Sequence, residues 1–387
     1  MSRYVVAIDS MKGCLSSLEA SSAFAIGIRK TDPEAEVLVV PVADGGEGTA
    51  KVLAHGAGLK DSIKNCVIGP MGNEVDAEWW YDRNTSTAYI DIAQTSGLTL
   101  VDVGNRNPLL ATSYGFGQLI SKALDIGATT IVAGLGGSAT VDGGVGACQA
   151  LGIRFIDSNG SLIPDFAGGR HLSVISNIDI TGIDARLNDV HLKLVCDVDN
   201  PFTGLKGAAH IFGPQKGASE VDIATLESCL ENLRRVIRSI CGIDLNEVAG
   251  SGAAGGCAGG LKALAGGVIC NGAPFVLDSL KFESIIREAT TIITGEGSSD
   301  AQTLMGKLPY GILRLGKATG VSVALVAGNI KDSDELKEAG FSTLYNINNP
   351  EIIELSATKG MPAMMPDVAK CRLMATGAKF ALYAKKH

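Results

Sequence analysis

The chain has 387 residues, of which 49 are glycine and 12 are proline, and its formal net charge at pH 7 is −8. A hydrophobic fraction of 46% can bury a substantial core, so the composition excludes a collagen-like chain and most low-complexity disorder. The negative charge excludes a general basic surface for nucleic acid or acidic lipid, and we therefore expect a small-molecule partner.

Two strand, loop and helix units open the chain. Ser16 and Glu19 form a capping-box pair, which marks the start of the first helix, and Pro33 closes that helix region. The predicted strands and helices alternate, in chain order, over residues 5–8, 20–28, 37–42 and 49–55.

The rest of the chain continues this alternation less regularly. A helix is predicted over residues 221–240, where an apolar stripe recurs at helical spacing at Leu226, Leu230, Leu233 and Ile237. Residues 166–189 show no clear period. Further strands, each leading into a polar loop, are predicted over residues 129–133, 192–196, 291–294 and 321–327. Continuous apolar strands favour a parallel sheet that is covered on both faces.

These elements predict an α/β fold with two domains. One α/β domain is built from both chain ends, residues 1–65 plus 286–387, and a second α/β domain, residues 66–285, is inserted into it. Ligands of such sheets bind beyond the carboxyl ends of the strands, so we expect the active site in the cleft between the two domains.

Cysteine usage and the first residues predict a cytoplasmic location. The nine cysteines are odd in number and are never spaced as Cys-x-x-Cys, which argues against a disulfide framework and structural zinc. The apolar run before Asp9 is too short for a signal peptide, and residues 250–270 are too weakly hydrophobic for a membrane span. We therefore expect no membrane association.

Five loops share one design, in which an apolar strand is followed by glycines or turn residues with one or more carboxylates. Each loop alone is typical of a turn or a helix cap, but five together favour a shared anion site. Glycine lets backbone N–H groups approach phosphate, and carboxylates beside phosphate imply Mg²⁺ between them. The loops are residues 9–13, 44–48, 134–144, 197–201 and 295–300.

Known phosphate motifs match only in part. The P-loop pattern fails, because Gly306-Lys307 is followed by Leu308 and Ala301 stands where the first glycine belongs. The stretch from Gly134 to Ala139 meets the dinucleotide pattern, with Asp157 about 20 residues further on. A nicotinamide-dependent dehydrogenase of a small hydroxy acid therefore stays open as an alternative, as does a non-catalytic binder of small organic acids.

Seven motifs occur in order along the chain, at residues 9–13, 43–49, 136–140, 196–201, 212–218, 252–256 and 294–297. Taken together, they resemble the bacterial glycerate kinase family from about residue 4 to residue 330 or beyond. The resemblance implies phosphorylation of glycerate that depends on ATP and Mg²⁺, and two α/β domains of which one is Rossmann-like. Ser298-Ser299 departs from the family, which usually has an arginine-containing pair there.

On this interpretation the chain phosphorylates glycerate to give 2-phosphoglycerate, with 3-phosphoglycerate as the less favoured product, and a homodimer is one assembly left open. The expected catalytic residues are Lys12, Asp197, Asp300 and Lys307, and Asp197 and Asp300 are also the expected metal ligands. The expected substrate- and phosphate-binding residues are Ser10, Asp44, Gly45, Gly46, Glu47, Arg106, Gly136, Gly137, Ser138, Ala139, Asn200, Lys216, Gly295, Glu296 and Gly297.

Overall fold

The computed structural model describes residues 2–385. The strands are β1 Arg3–Ile8, β2 Glu36–Val39, β3 Ile63–Ile68, β4 Glu74–Asp82, β5 Thr87–Asp91, β6 Thr130–Gly134, β7 Arg154–Asp157, β8 Ile175–Asp179, β9 His191–Cys196, β10 Val268–Asn271, β11 Thr291–Ser299, β12 Ser322–Ile330 and β13 Thr343–Asn346. The helices are α1 Ser17–Thr31, α2 Thr49–Gly56, α3 Ala93–Ser96, α4 Tyr114–Asp125, α5 Val145–Ala150, α6 Ala208–Phe212, α7 Glu220–Cys241, α8 Cys257–Ala265, α9 Gly272–Ser279, α10 Phe282–Ile286, α11 Leu308–Thr319, α12 Ser333–Glu338, α13 Pro350–Leu355 and α14 Pro366–Ala384.

The chain forms two compact units, Met1–Asp44 with Ala273–His387, and Gly45–Gly272. The predicted boundaries, at 65/66 and 285/286, lie further along the chain than these. Helix α2 explains the first difference, because its Ala50 and Ala54 pack on Trp80 of β4 in the middle unit. Helices α9 and α10 explain the second, since they pack against β1 and β11 of the unit of the chain ends.

The unit of the chain ends is built on a parallel sheet with strand order β13-β12-β11-β1-β2. Alternate residues of β1 enter two cores. Tyr4, Val6 and Ile8 pack with α1 and α14, whereas Val5 and Ala7 pack with α11 on the other face. Burial on both faces confirms the prediction drawn from the continuous apolar strands.

Helix α1 begins at the predicted capping box. The Ser16 hydroxyl accepts the N–H of Glu19 at 3.3 Å, and the Glu19 carboxylate accepts the N–H of Ser16 at 3.0 Å. These two hydrogen bonds satisfy N–H groups that the first turn of a helix leaves without a partner. They set the length of the loop between β1 and α1, which carries residues 9–13.

The middle unit contains a mixed sheet with strand order β10-β9-β6-β5-β4-β3. Strands β10, β9, β6 and β5 are parallel, and β4 and β3 continue the sheet antiparallel. Helix α7 covers the predicted segment and buries its predicted apolar stripe, Leu226, Leu230, Leu233 and Ile237. Strands β7 and β8 form a separate antiparallel hairpin.

Candidate active site

In the unit of the chain ends, the loop after β1 holds a buried carboxyl group. Asp9 follows the strand directly and is only 6% exposed, and its carboxylate accepts the N–H of Ser10 at 2.7 Å. Burial raises the pKa of Asp9 well above its usual range, and the nearby Asp44 carboxylate raises it further. A carboxyl group whose pKa is raised by burial is a candidate for proton transfer. Asp9 was not among the predicted site residues, although it opens one of the quoted motifs.

Lys12 lies beside this group. Its Nζ is 3.4 Å from Oδ2 of Asp44, and the lysine side chain is 72% exposed. The Lys12 charge lowers the pKa of Asp9, so it opposes the effects of burial and Asp44. An ion pair this exposed contributes little to stability. The position of Lys12 therefore suits contact with an anionic ligand.

The loop after β11 is organised around Glu296. Its Oε1 accepts the hydroxyls of Thr303 at 2.6 Å and Ser299 at 3.1 Å, and its Oε2 lies 3.4 Å from Nζ of Lys307. Lys307 is the N-cap residue of α11, so its ammonium adds to the positive end of that helix. Glu296 thus acts as a fixed acceptor that orients a lysine.

Asp300 caps the short 3₁₀ turn that follows β11. Its carboxylate accepts the N–H of Gln302 at 2.9 Å, and its own N–H donates to the Thr303 hydroxyl at 3.1 Å. These two hydrogen bonds fix the Asp300 carboxylate at the start of the segment that leads to Lys307. The loops after β1, β2 and β11 therefore gather the predicted residues of this unit at the carboxyl ends of its strands, as expected for an open parallel sheet.

In the middle unit, two glycine loops pack directly on each other. A Cβ atom on Gly136 would lie 2.3 Å from Cα of Gly46 and 2.7 Å from the backbone nitrogen of Glu47. A Cβ atom on Gly137 would lie 3.2 Å from a carboxylate oxygen of Glu47. Glycine is needed here because one backbone approaches another closely. The predicted residues Gly46, Glu47, Gly136 and Gly137 are thereby brought together.

Asp91, at the end of β5, links these loops and was missed by the sequence analysis. Its carboxylate accepts the N–H groups of Gly48 and Ala50, both at 3.1 Å, at the start of α2. Gly134 is its partner in β6, and a Cβ there would lie 2.1 Å from Oδ1 of Asp91. Burial raises the pKa of Asp91 to about 7. The strand-then-carboxylate pattern of residues 87–91 is the signal that could have found it.

The loop after β9 carries Asp197, which is exposed. A Cβ on Gly45 would lie 3.0 Å from Cα of Cys196, so the loop that begins at Gly45 lies against the residue before Asp197. The Asn200 side-chain amide donates to the Lys206 carbonyl at 2.8 Å, which closes the loop after Asp197.

The two predicted cations of this unit hold backbone carbonyls. Nζ of Lys216 donates to Oγ of Ser138 at 2.9 Å and to the Thr140 carbonyl at 2.7 Å, and Lys216 is only 3% exposed. Burial lowers the pKa of Lys216 to about 7. The Arg106 guanidinium donates to the Leu98 carbonyl at 3.3 Å and to the Gln215 carbonyl at 3.4 Å. Both side chains therefore brace loops of the site.

Ala139 requires a correction. It was expected to offer its N–H to an anion, but that group donates to the Ser96 carbonyl at 2.8 Å. The loop crosses the segment after α3 at this point, and the antiparallel bridge between Gly97 and Ser138 uses the backbone there.

The dinucleotide alternative does not fit the fold. The fingerprint requires a helix that opens at the glycine loop, whereas α5 begins only at Val145 after a loop of ten residues, 135–144. Asp157, the expected ribose partner, ends β7 of the separate hairpin rather than a strand beside β6. Asp142, in the intervening loop, is buried and accepts the Ser113 hydroxyl at 2.7 Å. The loop is therefore stabilised by its own carboxylate, without a helix at its start.

Residues 2–385 contain no cluster of three or more histidine, cysteine, aspartate or glutamate side chains that could hold a metal ion. Mg²⁺ in phosphate-transferring sites takes one or two protein carboxylates and completes its shell with water and phosphate oxygens. The oxygen donors of the exposed Asp197 and the loop residue Asp300 are of the chemical type that Mg²⁺ prefers. In the same part of the chain, no helix is both long and apolar enough to cross a membrane.

The chain is similar to known proteins along almost its whole length. A sequence model described as the glycerate kinase family matches residues 4–371. Glycerate 2-kinase of Escherichia coli (strain K12) is 43% identical over 331 residues, which cover 85% of this chain and 86% of that protein. Glycerate kinase of Bacillus subtilis (strain 168) is 41% identical over 346 residues, 89% of this chain and 90% of that protein.

A solved structure agrees with these sequence matches. The crystal structure of putative glycerate kinase 2 from Salmonella typhimurium LT2 has a TM-score of 0.81 to this chain at 36% identity. The match covers 100% of this chain and 98% of that chain.

Proposed function

Because the chain belongs to the glycerate kinase family, we propose that it transfers the γ-phosphoryl group of ATP to the 2-hydroxyl of D-glycerate, giving 2-phosphoglycerate and ADP. The observation that carries the proposal is the pairing of exposed or half-exposed lysines with carboxylates after β1 and β11, Lys12 with Asp44 and Lys307 with Glu296. The E. coli relative named glycerate 2-kinase supports the choice of hydroxyl.

Phosphoryl transfer needs positioning and charge neutralisation more than covalent chemistry by the protein. In the proposal, Lys12 and Lys307 neutralise charge on the phosphoryl oxygens, and the carboxylates of Asp44 and Glu296 hold the two ammonium groups in place. Asp9, whose pKa is raised by burial, receives the proton of the glycerate hydroxyl. Each of these groups lies in the unit of the chain ends.

Mg²⁺, when bound, neutralises phosphate charge and aligns the phosphate chain. Asp197 and Asp300 are the proposed ligands. Each lies in the loop that follows a strand, Asp197 after β9 and Asp300 after β11. Asn200, three residues further along the same loop, is a proposed substrate- or phosphate-binding residue.

The glycine loops of the middle unit are the proposed donors to substrate oxygens. The N–H groups of Gly45, Gly46, Gly136 and Gly137 lie where backbones approach closely, and Ser138 adds a hydroxyl. Gly295 and Gly297, with Ser10, are the corresponding proposals in the unit of the chain ends.

Cellular location and assembly are also proposals. The nine cysteines are free in the structure, which fits the reducing cytoplasm predicted from their spacing. A homodimer is one possible assembly, and light scattering after size-exclusion chromatography tests it by measuring the molar mass in solution.

The proposed function is tested by measuring ADP formation with ATP, Mg²⁺ and D-glycerate, each omitted in turn. We expect ADP only when all three are present. D-lactate keeps the 2-hydroxyl and lacks the 3-hydroxyl, whereas 3-hydroxypropanoate has the reverse, so D-lactate should be the better substitute. No ADP above the glycerate-free control would overturn the proposal and leave a non-catalytic binder.

The metal and catalytic roles are tested by Asp197→Asn and Asp300→Asn. Each should lower kcat/KM at least tenfold, because a carboxylate that binds Mg²⁺ cannot be replaced by a neutral amide without loss. If both variants stayed within about threefold of wild type, a difference below about 1 kcal/mol of transition-state stabilisation, the assignment would be wrong.

A further inference from the structure

The turn of residues 213–217 projects a lysine into the interior of the middle unit. Pro214–Lys216 form a 3₁₀ turn, and Gly217 ends it at φ +93°. A Cβ on Gly217 would lie 2.7 Å from the carbonyl oxygen of Arg106, so only glycine allows this close approach. The turn is thereby seated against the segment of Arg106, and its lysine side chain points inward.

The ammonium group of Lys216 ends on the glycine loop. It donates to Oγ of Ser138 at 2.9 Å and to the carbonyl of Thr140 at 2.7 Å. A lysine ammonium carries hydrogen-bond donors and no acceptor. In this hydrogen bond Ser138 is the acceptor, so its own hydroxyl hydrogen points away from Lys216.

The same loop is fixed from its other side. The carbonyl of Gly137 accepts the N–H of Leu98 at 2.8 Å, and the carbonyl of Leu98 accepts the Arg106 guanidinium at 3.3 Å. Within residues 2–385, the Ser138 hydroxyl donates no hydrogen bond to another group of the protein. The loop is thus held by hydrogen bonds on both sides, and the hydrogen of the Ser138 hydroxyl is not used in them.

We infer that Lys216 is a positioning residue that makes the Ser138 hydroxyl a hydrogen-bond donor to the carboxylate of the acid substrate. The inference rests on the proposed function, in which Lys12 and Lys307 serve the phosphates of the nucleotide. The carboxylate of glycerate then needs its donors elsewhere, and the braced loop of the middle unit supplies a hydroxyl next to the N–H groups of Gly136 and Gly137.

Loss of the Lys216 charge should also lower the stability of the buried region around Asp142. Asp142 is fully buried and is the largest favourable charge partner of Lys216. Lys216→Met removes a charge that interacts favourably with this carboxylate, so the variant tests stability as well as binding. Ser138→Ala removes only the hydroxyl and leaves the Lys216 ammonium bonded to the Thr140 carbonyl.

The test is a double-mutant cycle with Ser138→Ala, Lys216→Met and the double variant. KM for D-glycerate is measured at saturating ATP and Mg²⁺, KM for ATP at saturating D-glycerate, and Tm by calorimetry. Lys122→Met is the matched control, because Lys122 is an exposed lysine on α4 of the same unit.

We expect Ser138→Ala to raise KM for D-glycerate about tenfold, the loss of one hydrogen bond to a charged group, with kcat and KM for ATP nearly unchanged. Lys216→Met should raise the same KM at least as much and lower Tm, and the double variant should be no worse than Lys216→Met. The control should match wild type.

The inference is overturned if Ser138→Ala leaves KM for D-glycerate within twofold, if KM for ATP rises instead, or if the two effects multiply in the double variant. Should Lys216→Met fail to fold, Ser138→Ala alone decides. A wild-type protein without glycerate-dependent ADP formation would overturn the proposed function and this inference together, whereas an active wild type with a silent Ser138→Ala overturns only the inference.

Discussion

Replacing Gly136 with alanine tests the contact between the two glycine loops of the middle unit. Gly136 does not adopt a positive φ, so the cost of a side chain there is steric. The new Cβ would lie 2.3 Å from Cα of Gly46, where carbon atoms normally approach to about 3.5 Å, so the loops must separate by roughly 1.2 Å.

That displacement sets the expected magnitude. A shift of about 1 Å in a positioning group can lower turnover about 100-fold, and overpacking costs about 1–3 kcal/mol of unfolding free energy. A domain with about 5–15 kcal/mol of stability stays folded after such a loss. We therefore expect kcat/KM for D-glycerate to fall about 100-fold in a protein that remains folded by circular dichroism.

Gly104→Ala is the control. Gly104 also lies outside the positive-φ region, and a Cβ there would meet nothing within 4 Å. Its kcat/KM should equal that of wild type. If Gly136→Ala kept kcat/KM within threefold of wild type, the close approach of the two loops would have no role in activity, and the steric reasoning would be refuted.

Three further substitutions separate stability from catalysis. Burial raises the pKa of Asp91 to about 7, so the folded state binds this proton more tightly than the unfolded chain, and the stability it contributes at acid pH is lost as the pH rises from about 4 to 7. Asp91→Asn should remove about 3 kcal/mol of the difference in unfolding free energy between pH 5 and pH 8, measured by urea titration, and a pH difference equal to that of wild type would contradict it. Lys307→Met should lower kcat at least tenfold. Its Tm should change by less than about 2 °C, because the ion pair of Lys307 is half-exposed. A large fall in Tm would show that Lys307 has a structural role instead. Arg372→Met should lower stability and leave kcat nearly unchanged, because the buried guanidinium donates to the Thr358 hydroxyl at 2.8 Å and to three other acceptors. We expect the free energy of unfolding in urea to fall by about 3 kcal/mol, and a loss below about 1 kcal/mol would contradict this.

Features of the fold that depend on neighbouring residues could be predicted from the sequence. The capping box at Ser16 and the apolar stripe of α7 are local patterns, and both are confirmed. The apolar runs that became β1, β6, β9, β11 and β12 were also found, because a strand buried on both faces is apolar throughout.

The parts that were missed depend on distant residues. Asp91 is held by N–H groups of Gly48 and Ala50, more than 40 residues earlier in the chain, and its strand is short. Lys216 was among the predicted binding residues, but its burial was not predicted, because that burial follows from a turn that packs on Arg106. No sequence pattern indicates whether the side chain of a residue in such a turn points into the protein or into solvent.

The central claim is that this chain phosphorylates the 2-hydroxyl of D-glycerate. Proton-coupled ³¹P NMR of the product formed from ATP, Mg²⁺ and D-glycerate tests it most directly, because a phosphate on C2 couples to one carbon-bound hydrogen and a phosphate on C3 couples to two. We predict a new phosphomonoester doublet together with the signals of ADP. A triplet would place the phosphate on the 3-hydroxyl and contradict the choice of hydroxyl, and a spectrum without phosphoglycerate would contradict the proposed activity.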